Sequence, residues 1–284
     1  MDGISPAICA NSACFRCISL SFLQILTLAV VQGLTEFLPV SSSGHLILVP
    51  YFTGWPDQGL AMDVSVHVGT LAAVLIYFWR DTIALTRGFF RLFTGRVTPD
   101  GRLAVYLLLA TIPAVVAGYA LEKFAGGPSR RIEVVAWAMV IFGIVLWVVD
   151  RISMRVKRLD HMTLGQALAI GIAQPMAFIP GTSRSGITMV AARMMGYERA
   201  EAARFSFLLS IPAIVGAGLF EGLKLIGAGS SQSESGAGLA AVLSAITGLL
   251  AIWFLMRWLK RSSFTPFVIY RLILGVGLLV WLYR

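Results

Sequence analysis

Apolar residues run in blocks of about twenty along most of this chain, and charged residues gather between the blocks. The blocks are Leu60 to Trp79, Leu103 to Leu121, Ile132 to Val149, Phe205 to Ile226, Leu239 to Trp258 and Phe267 to Tyr283. Each is long enough to cross a bilayer as a helix. Two further apolar stretches, Phe22 to Leu38 and Thr163 to Ile179, behave differently. Each runs into a break rich in Pro, Gly and Ser and resumes as a short apolar piece, the pattern of a re-entrant helix, loop, helix. The expected fold is an all-α polytopic membrane protein, with about six transmembrane helices plus two re-entrant helix-loop-helix hairpins.

Composition agrees. The chain is 57% hydrophobic and only 13% charged, with a mean hydropathy of +0.81, far more apolar than an ordinary soluble domain. A net charge of +9 invites a nucleic-acid reading, but the basic residues lie in short clusters between spans, where they set orientation. No nucleic-acid partner is expected. Arg80 to Arg102, Arg151 to Arg158 and Arg257 to Arg261 are basic, whereas Glu221 to Gly238 holds one Lys against two Glu. Threading the six spans with the basic loops in the cytoplasm leaves Tyr51 to Gly59 and the carboxyl terminus outside. By parity the first hairpin enters from the outside and the second from the cytoplasm.

The two breaks resemble each other. Phe37-Leu-Pro39-Val-Ser-Ser-Ser-Gly44 aligns with Phe178-Ile-Pro180-Gly-Thr-Ser-Arg-Ser-Gly186 when Arg184 is taken as an insertion, with prolines 141 positions apart, about half the chain. A hairpin and three spans, repeated once, make an inverted-topology repeat with halves of about 22–150 and 160–284 in a single domain, 22–284. A second echo, Ile112-Pro-Ala-Val-Val and Ile211-Pro-Ala-Ile-Val, does not fit that offset. Residues 1–21 form a weakly ordered extension. It holds Cys9, Cys14 and Cys17, and although Cys14 and Cys17 have C-x-x-C spacing, no second cysteine pair or His cluster completes a metal site. The extension also lacks the basic start and cleavage site of a removable signal peptide.

Polar residues inside the apolar segments carry the candidate chemistry, because ionisable groups at membrane depth are costly and concentrate at functional sites. Gln32 and Glu36 are spaced i, i+4 on one helix face. A carboxylate there can hold a divalent metal, act as a base or pass a proton, or it can simply bridge helices. After Pro39 come Ser41, Ser42, Ser43, Gly44 and His45, offering hydroxyls and loop amides to phosphate oxygens and an imidazole as base or nucleophile. Arg184 stands among Gly181, Thr182, Ser183, Ser185, Gly186 and Thr188, a setting suited to phosphate or diphosphate. Asp63 and His67 are another i, i+4 pair, read equally well as support for the site or as a packing hydrogen bond.

At these positions the chain resembles the undecaprenyl-diphosphate phosphatase family, also known for bacitracin resistance. The resemblance rests on Gln32-x-x-x-Glu36 with Phe-Leu-Pro-Val-Ser-Ser-Ser-Gly-His45, on Asp63-Val-x-Val-His-Val-Gly-Thr70 and on Pro180-Gly-Thr-Ser-Arg184-Ser-Gly186, and it extends from about Leu23 onward. It implies hydrolysis of undecaprenyl diphosphate to undecaprenyl phosphate and inorganic phosphate by a multi-pass protein of the bacterial inner membrane, with the active site facing the periplasm. It also implies a divalent cation, Mg or Ca, held by Glu36 with Gln32, and is compatible with a homodimer among membrane lipids. The catalytic set it implies is Glu36, Ser42, His45 and Arg184, with Ser42, His45 or water as the attacking group and His45 as activator. Ser41, Ser43, Thr182, Ser183, Arg184, Ser185 and Thr188 are the expected phosphate binders. Many members carry Glu where this chain has Gln32, so a two-carboxylate site is not expected. A lipid-phosphate flippase or small-molecule transporter is the competing class, because inverted repeats also build transporters.

Overall fold

The structure, a computed structural model, describes residues 21–227 and 236–284. The N-terminal extension and its three cysteines lie outside the described residues. Among the described residues helix is the only extended secondary structure, in the order α1 Phe22–Phe37, α2 Ser42–Thr53, α3 Gly59–Tyr77, α4 Trp79–Leu92, α5 Pro99–Ala125, α6 Ile132–Ile152, α7 Leu164–Ala173, α8 Arg184–Met194, α9 Arg199–Gly227, α10 Ala237–Leu259 and α11 Thr265–Leu282. Six of these, α3, α5, α6, α9, α10 and α11, are long and apolar enough to cross a membrane, and they coincide with the six apolar blocks.

The remaining helices explain the breaks. At the start of α1, Ser21 and Gln24 form a capping box that satisfies two amides of the first turn. The helix stops at Leu38, which is extended (φ −69°, ψ 142°), the conformation that the following Pro39 imposes on it. α7 opens on the same device, Thr163 with Gln166, and tightens into a 3-10 turn over Gln174–Phe178 ahead of Pro180. Element order is then a broken helix pair followed by three long apolar helices, twice over. One element is additional. Most of the basic segment after Tyr77 is α4, whose Phe89, Phe90 and Phe93 rings cluster beside Arg80, Arg87 and Arg91. Its polar face interrupts the apolar run, so it did not register as a helix in the hydropathy pattern.

Contacts at the two ends of the bundle agree with the threading. At one end Asp57, between α2 and α3, pairs with Arg130, between α5 and α6. The same end gathers the outer ends of the first pair, because Gln24 of α1 lines a small cavity with Val49, Trp55 and Gln58. At the other end Asp150 of α6 accepts two hydrogen bonds at 2.7 Å from Arg199 of α9 and one from the backbone N–H of Phe264 ahead of α11. There the outer ends of α7 and α8 meet, Tyr197 donating to Gln166 at 2.6 Å. The outer ends of the two broken pairs therefore lie at opposite ends of the bundle.

Packing is close where it positions α1. A Cβ on Gly33 would fall 1.9 Å from Thr247 Oγ1 of α10, and one on Gly69 of α3 would fall 2.2 Å from the carbonyl oxygen of Ala241. Only glycine lets these backbones approach, the usual means of tight helix association in lipid. Phe37 at the end of α1 packs edge-on against Phe207 of α9, which anchors the helix next to its break. The prolines of the second echo, Pro113 and Pro212, sit inside α5 and α9.

Candidate active site

The two breaks share an unusual backbone turn. Among the described residues only two non-glycine residues have positive φ, Ser41 (75°) and Ser183 (77°), a region that costs an L-residue roughly 1–3 kcal/mol. Each is the N-cap of the next helix, its Oγ accepting from the amide of Gly44 or Gly186 and meeting the hydroxyl of Ser43 or Ser185. Ser41 therefore matches Ser183, and Ser42 matches Arg184. The expectation that Arg184 is an insertion is corrected: the extra residue lies before the cap, within Gly181 and Thr182, and Arg184 is the first residue of α8 as Ser42 is of α2.

The breaks also touch directly. Gly181 N–H donates to Ser41 Oγ at 3.1 Å, and Ser185 Oγ donates to the carbonyl of Leu38 at 3.2 Å. Gly181 has φ 97°, and a Cβ there would lie 2.5 Å from the carbonyl oxygen of Val135, so no other residue fits the turn unstrained. The meeting brings the first turns of α2 and α8 together, with leading amides beyond their own hydrogen-bond ladders.

Glu36 is the centre of the polar cluster. It is 7% exposed, and both its oxygens are held. Oε1 accepts from Arg184 Nη2 at 2.7 Å, while Oε2 accepts from Ser42 Oγ at 2.6 Å and from Gln32 Nε2 at 3.0 Å. A carboxylate so enclosed depends on its partners, because an unpaired charge at this depth is expensive. Arg184 retains 20% side-chain exposure, and Ser42 is part-buried. The cluster thus joins a hydroxyl, a carboxylate able to take its proton and a guanidinium able to turn to an anion. Gln32 Oε1 and Thr182 Oγ1 are buried with no hydrogen-bond partner among the described residues.

Other expected site residues are placed differently. His45 is not at the Ser42 hydroxyl: its Nδ1 lies 2.6 Å from the carbonyl of Ser41 and its Nε2 2.5 Å from Tyr270 Oη. Because a carbonyl only accepts, Nδ1 carries the hydrogen and neutral His45 accepts from Tyr270 at Nε2. Thr188 faces α9, sharing a hydrogen bond with Ser206 at 2.7 Å. Ser41, Ser183 and Ser185 are occupied by capping and by links between the breaks, which leaves Ser42, exposed Ser43 and Arg184 as side chains that an arriving anion can reach. Asp63 accepts from Gln58 at 2.9 Å and His67 Nδ1 lies 2.7 Å from the carbonyl of Asp63. Among the described residues no three of His, Cys, Asp and Glu cluster to hold a metal.

With this geometry in place, comparison with known proteins is direct. The profile of the family described as bacitracin resistance protein BacA matches residues 25–277. The chain belongs to this family. It is 48% identical over 268 residues to undecaprenyl-diphosphatase 1 of Rhodospirillum rubrum, covering 92% of this chain and 95% of that protein. It is 50% identical over 266 residues to the undecaprenyl-diphosphatase of Jannaschia sp., covering 93% and 100%. With the undecaprenyl-diphosphatase of Hahella chejuensis it shares 49% over 265 residues. The BacA match spans both breaks and five of the six long helices and reaches into α11. All of the polar cluster lies inside it.

Sequence reasoning missed two contributors, Tyr270 and Arg271, both on α11. The signal was present as a single Arg in the middle of an apolar span, which by the cost of burying charge already marks a position with a task.

Proposed function

We propose that this chain hydrolyses undecaprenyl diphosphate to undecaprenyl phosphate and inorganic phosphate, recycling the lipid carrier of cell-wall synthesis and thereby conferring resistance to bacitracin. Membership of the BacA family and the undecaprenyl-diphosphatase relatives support the reaction. The observation that carries the chemistry is the convergence of Ser42 and Arg184 on the two oxygens of Glu36.

Arg184 leaves Glu36 for the terminal phosphate, where its planar fork suits phosphate oxygens, and the leading amides of α2 and α8 add donors. Its departure frees Glu36 to accept the proton of Ser42, already donated along a 2.6 Å hydrogen bond. Ser42 Oγ then attacks the terminal phosphorus, the bond to the bridging oxygen breaks, and undecaprenyl phosphate leaves. Water next displaces the phosphoryl group from Ser42 with Glu36 returning the proton, so one water is consumed per phosphate released. Phosphoryl transfer is mostly positioning and charge neutralisation, and this arrangement supplies both. His45, engaged by Ser41 and Tyr270, fixes the first turn of α2.

A divalent cation fits only as one shared with substrate. Glu36 and the orphaned Gln32 Oε1 are the protein oxygens that would hold it, and the remaining ligands would be diphosphate oxygens and water, the usual manner of Mg binding. When bound it neutralises charge on the diphosphate.

In this reading the broken pairs dip into the bilayer without crossing it, and the basic loops at the Asp150 end favour a cytoplasmic position for that end. Because α1 and α2 open toward the other end, the site is reached from the periplasmic face of the inner membrane, with the prenyl chain along the apolar helices. Purified protein given undecaprenyl diphosphate and Mg should release phosphate, and acid quench during turnover should leave phosphate on Ser42. An absence of phosphate release together with lipid movement across vesicles would instead establish the flippase reading.

A further inference from the structure

Arg271 is 1% exposed and lies inside the apolar helix α11, Thr265–Leu282. A charge in such a place needs compensation, and here it comes from carbonyl dipoles alone. Nε donates to Met139 at 3.2 Å, Nη1 to Pro39 at 3.2 Å and Thr182 at 2.9 Å, and Nη2 to Ala138 at 3.2 Å and Gly181 at 2.8 Å. Guanidinium has five N–H donors, so every one is used, each on a different carbonyl. Pro39 belongs to the first break, Gly181 and Thr182 to the second, and Ala138 and Met139 to α6. The three break carbonyls have no helical partner of their own, whereas those of Ala138 and Met139 lie within the α6 ladder. The preceding residue, Tyr270, donates to His45 and stacks on it with ring centroids 5.7 Å apart.

We infer that Arg271 is a positioning residue for phosphoryl transfer: it clamps both breaks to α6 in one register, and so fixes the separation between Glu36 and Ser42, borne by the first broken pair, and Arg184, borne by the second. This rests on the proposed roles of those three residues. Direct contacts between the breaks are few, the Gly181 and Ser185 bonds described above, whereas Arg271 ties both to a third element. Such a clamp suits a site assembled from chain segments about 140 residues apart, because misplacing a reacting group by 1 Å costs about 10²-fold in rate. Lysine cannot replace it. An ammonium has three donors without a planar fork, so it cannot span all five carbonyls and cannot hold both breaks and α6 in the same geometry.

The test uses the full chain in detergent with Arg271→Lys, and Arg271→Met as a second variant. Two quantities are read: kcat and KM for phosphate release, and backbone hydrogen exchange across 37–46 and 178–188 against that of α3 and α10. For Arg271→Lys, KM should stay within about threefold while kcat falls roughly tenfold or more, the signature of lost transition-state positioning. Exchange should accelerate in both breaks together while α3 and α10 keep their protection, with the same pattern amplified in Arg271→Met. Wild-type kcat in Arg271→Lys, faster exchange in one break only, or faster exchange throughout the bundle would each overturn the inference. Glu36→Gln and Arg184→Lys are assayed alongside. If both turn over normally, the assignment of the site fails, and the exchange pattern still decides whether Arg271 clamps the breaks.

Discussion

Ser42 and Arg184 occupy matching first positions of α2 and α8, and both end on Glu36, at 2.6 Å and 2.7 Å. The repeat has thus placed a nucleophile-type residue and an anion binder at equivalent points of two half-related turns, with one carboxylate between them. Removing Arg184 leaves that carboxylate buried with no cation. Arg184→Gln should therefore cost about 3–5 kcal/mol of stability, and Glu36→Gln/Arg184→Gln should recover most of it, since no uncompensated charge remains. Neither variant should release phosphate. Thermal unfolding in detergent with a phosphate assay checks both; recovery of turnover in the double variant would remove Glu36 from the reaction.

Ser41 performs two tasks, and they can be separated. Its positive φ is strained and its hydroxyl caps α2 while accepting from Gly181. Ser41→Ala keeps the strain and loses both hydrogen bonds, so a loss of about 1–2 kcal/mol is expected. Ser41→Gly loses the same bonds but relieves the strain, and should unfold at a higher temperature than Ser41→Ala. The opposite order would mean that the turn is not strained. Ser183→Ala and Ser183→Gly should behave in parallel.

Hydropathy and breaker residues disclosed most of this architecture. Six spans were visible because lipid-facing and buried positions are both apolar, leaving long runs that only the loops interrupt. Both breaks were visible because Pro39 and Pro180 cannot continue a helix and serines follow each. The match between Ser42 and Arg184 was not, because a one-residue difference in the breaks is invisible until the caps at Ser41 and Ser183 fix the register. Glu36, Ser42 and Arg184 were legible as candidates from type and setting. The engagements of His45 and Thr188 were not, since they depend on Tyr270 and Ser206, which lie on helices remote in sequence. α4 was hidden for a different reason: a short helix with a basic polar face has the composition of a basic loop.

At the end of α6, Asp150 is the carboxylate that makes buried Arg193 and largely buried Arg199 tolerable. It is 3% exposed, bonded twice by Arg199 and within 3.4 Å of Arg193 Nε, and Arg193 itself is fully buried. Asp150→Asn removes the charge and leaves both guanidinium groups, so it should destabilise by about 3–5 kcal/mol. Because the site lies elsewhere, the folded fraction should keep its KM for undecaprenyl diphosphate. Unfolding temperature and steady-state kinetics on the same preparation measure the two effects separately, and a raised KM with unchanged stability would reverse the assignment.

Gln32 is the position at which the proposed divalent cation can be tested. Its Nε2 donates to Glu36 while its Oε1 is buried without a partner, so this chain presents one carboxylate and one neutral oxygen where a second carboxylate would fit. Gln32→Glu replaces a donor by an acidic oxygen directly against Glu36, and two carboxylates in that position repel unless a proton or a cation lies between them. In chelator the variant should therefore unfold at a lower temperature than the wild type. Adding Mg should restore it, by about 2.7 kcal/mol once the cation reaches a hundredfold excess over its dissociation constant. The wild type, with a neutral Gln32, should show a far smaller response to Mg in the absence of substrate, because one carboxylate and one neutral oxygen hold a divalent cation weakly. A thermal scan with and without chelator reads this independently of turnover. If the Gln32→Glu protein is as indifferent to Mg as the wild type, the cation does not bind between residues 32 and 36, and its ligands must be sought elsewhere in the bundle.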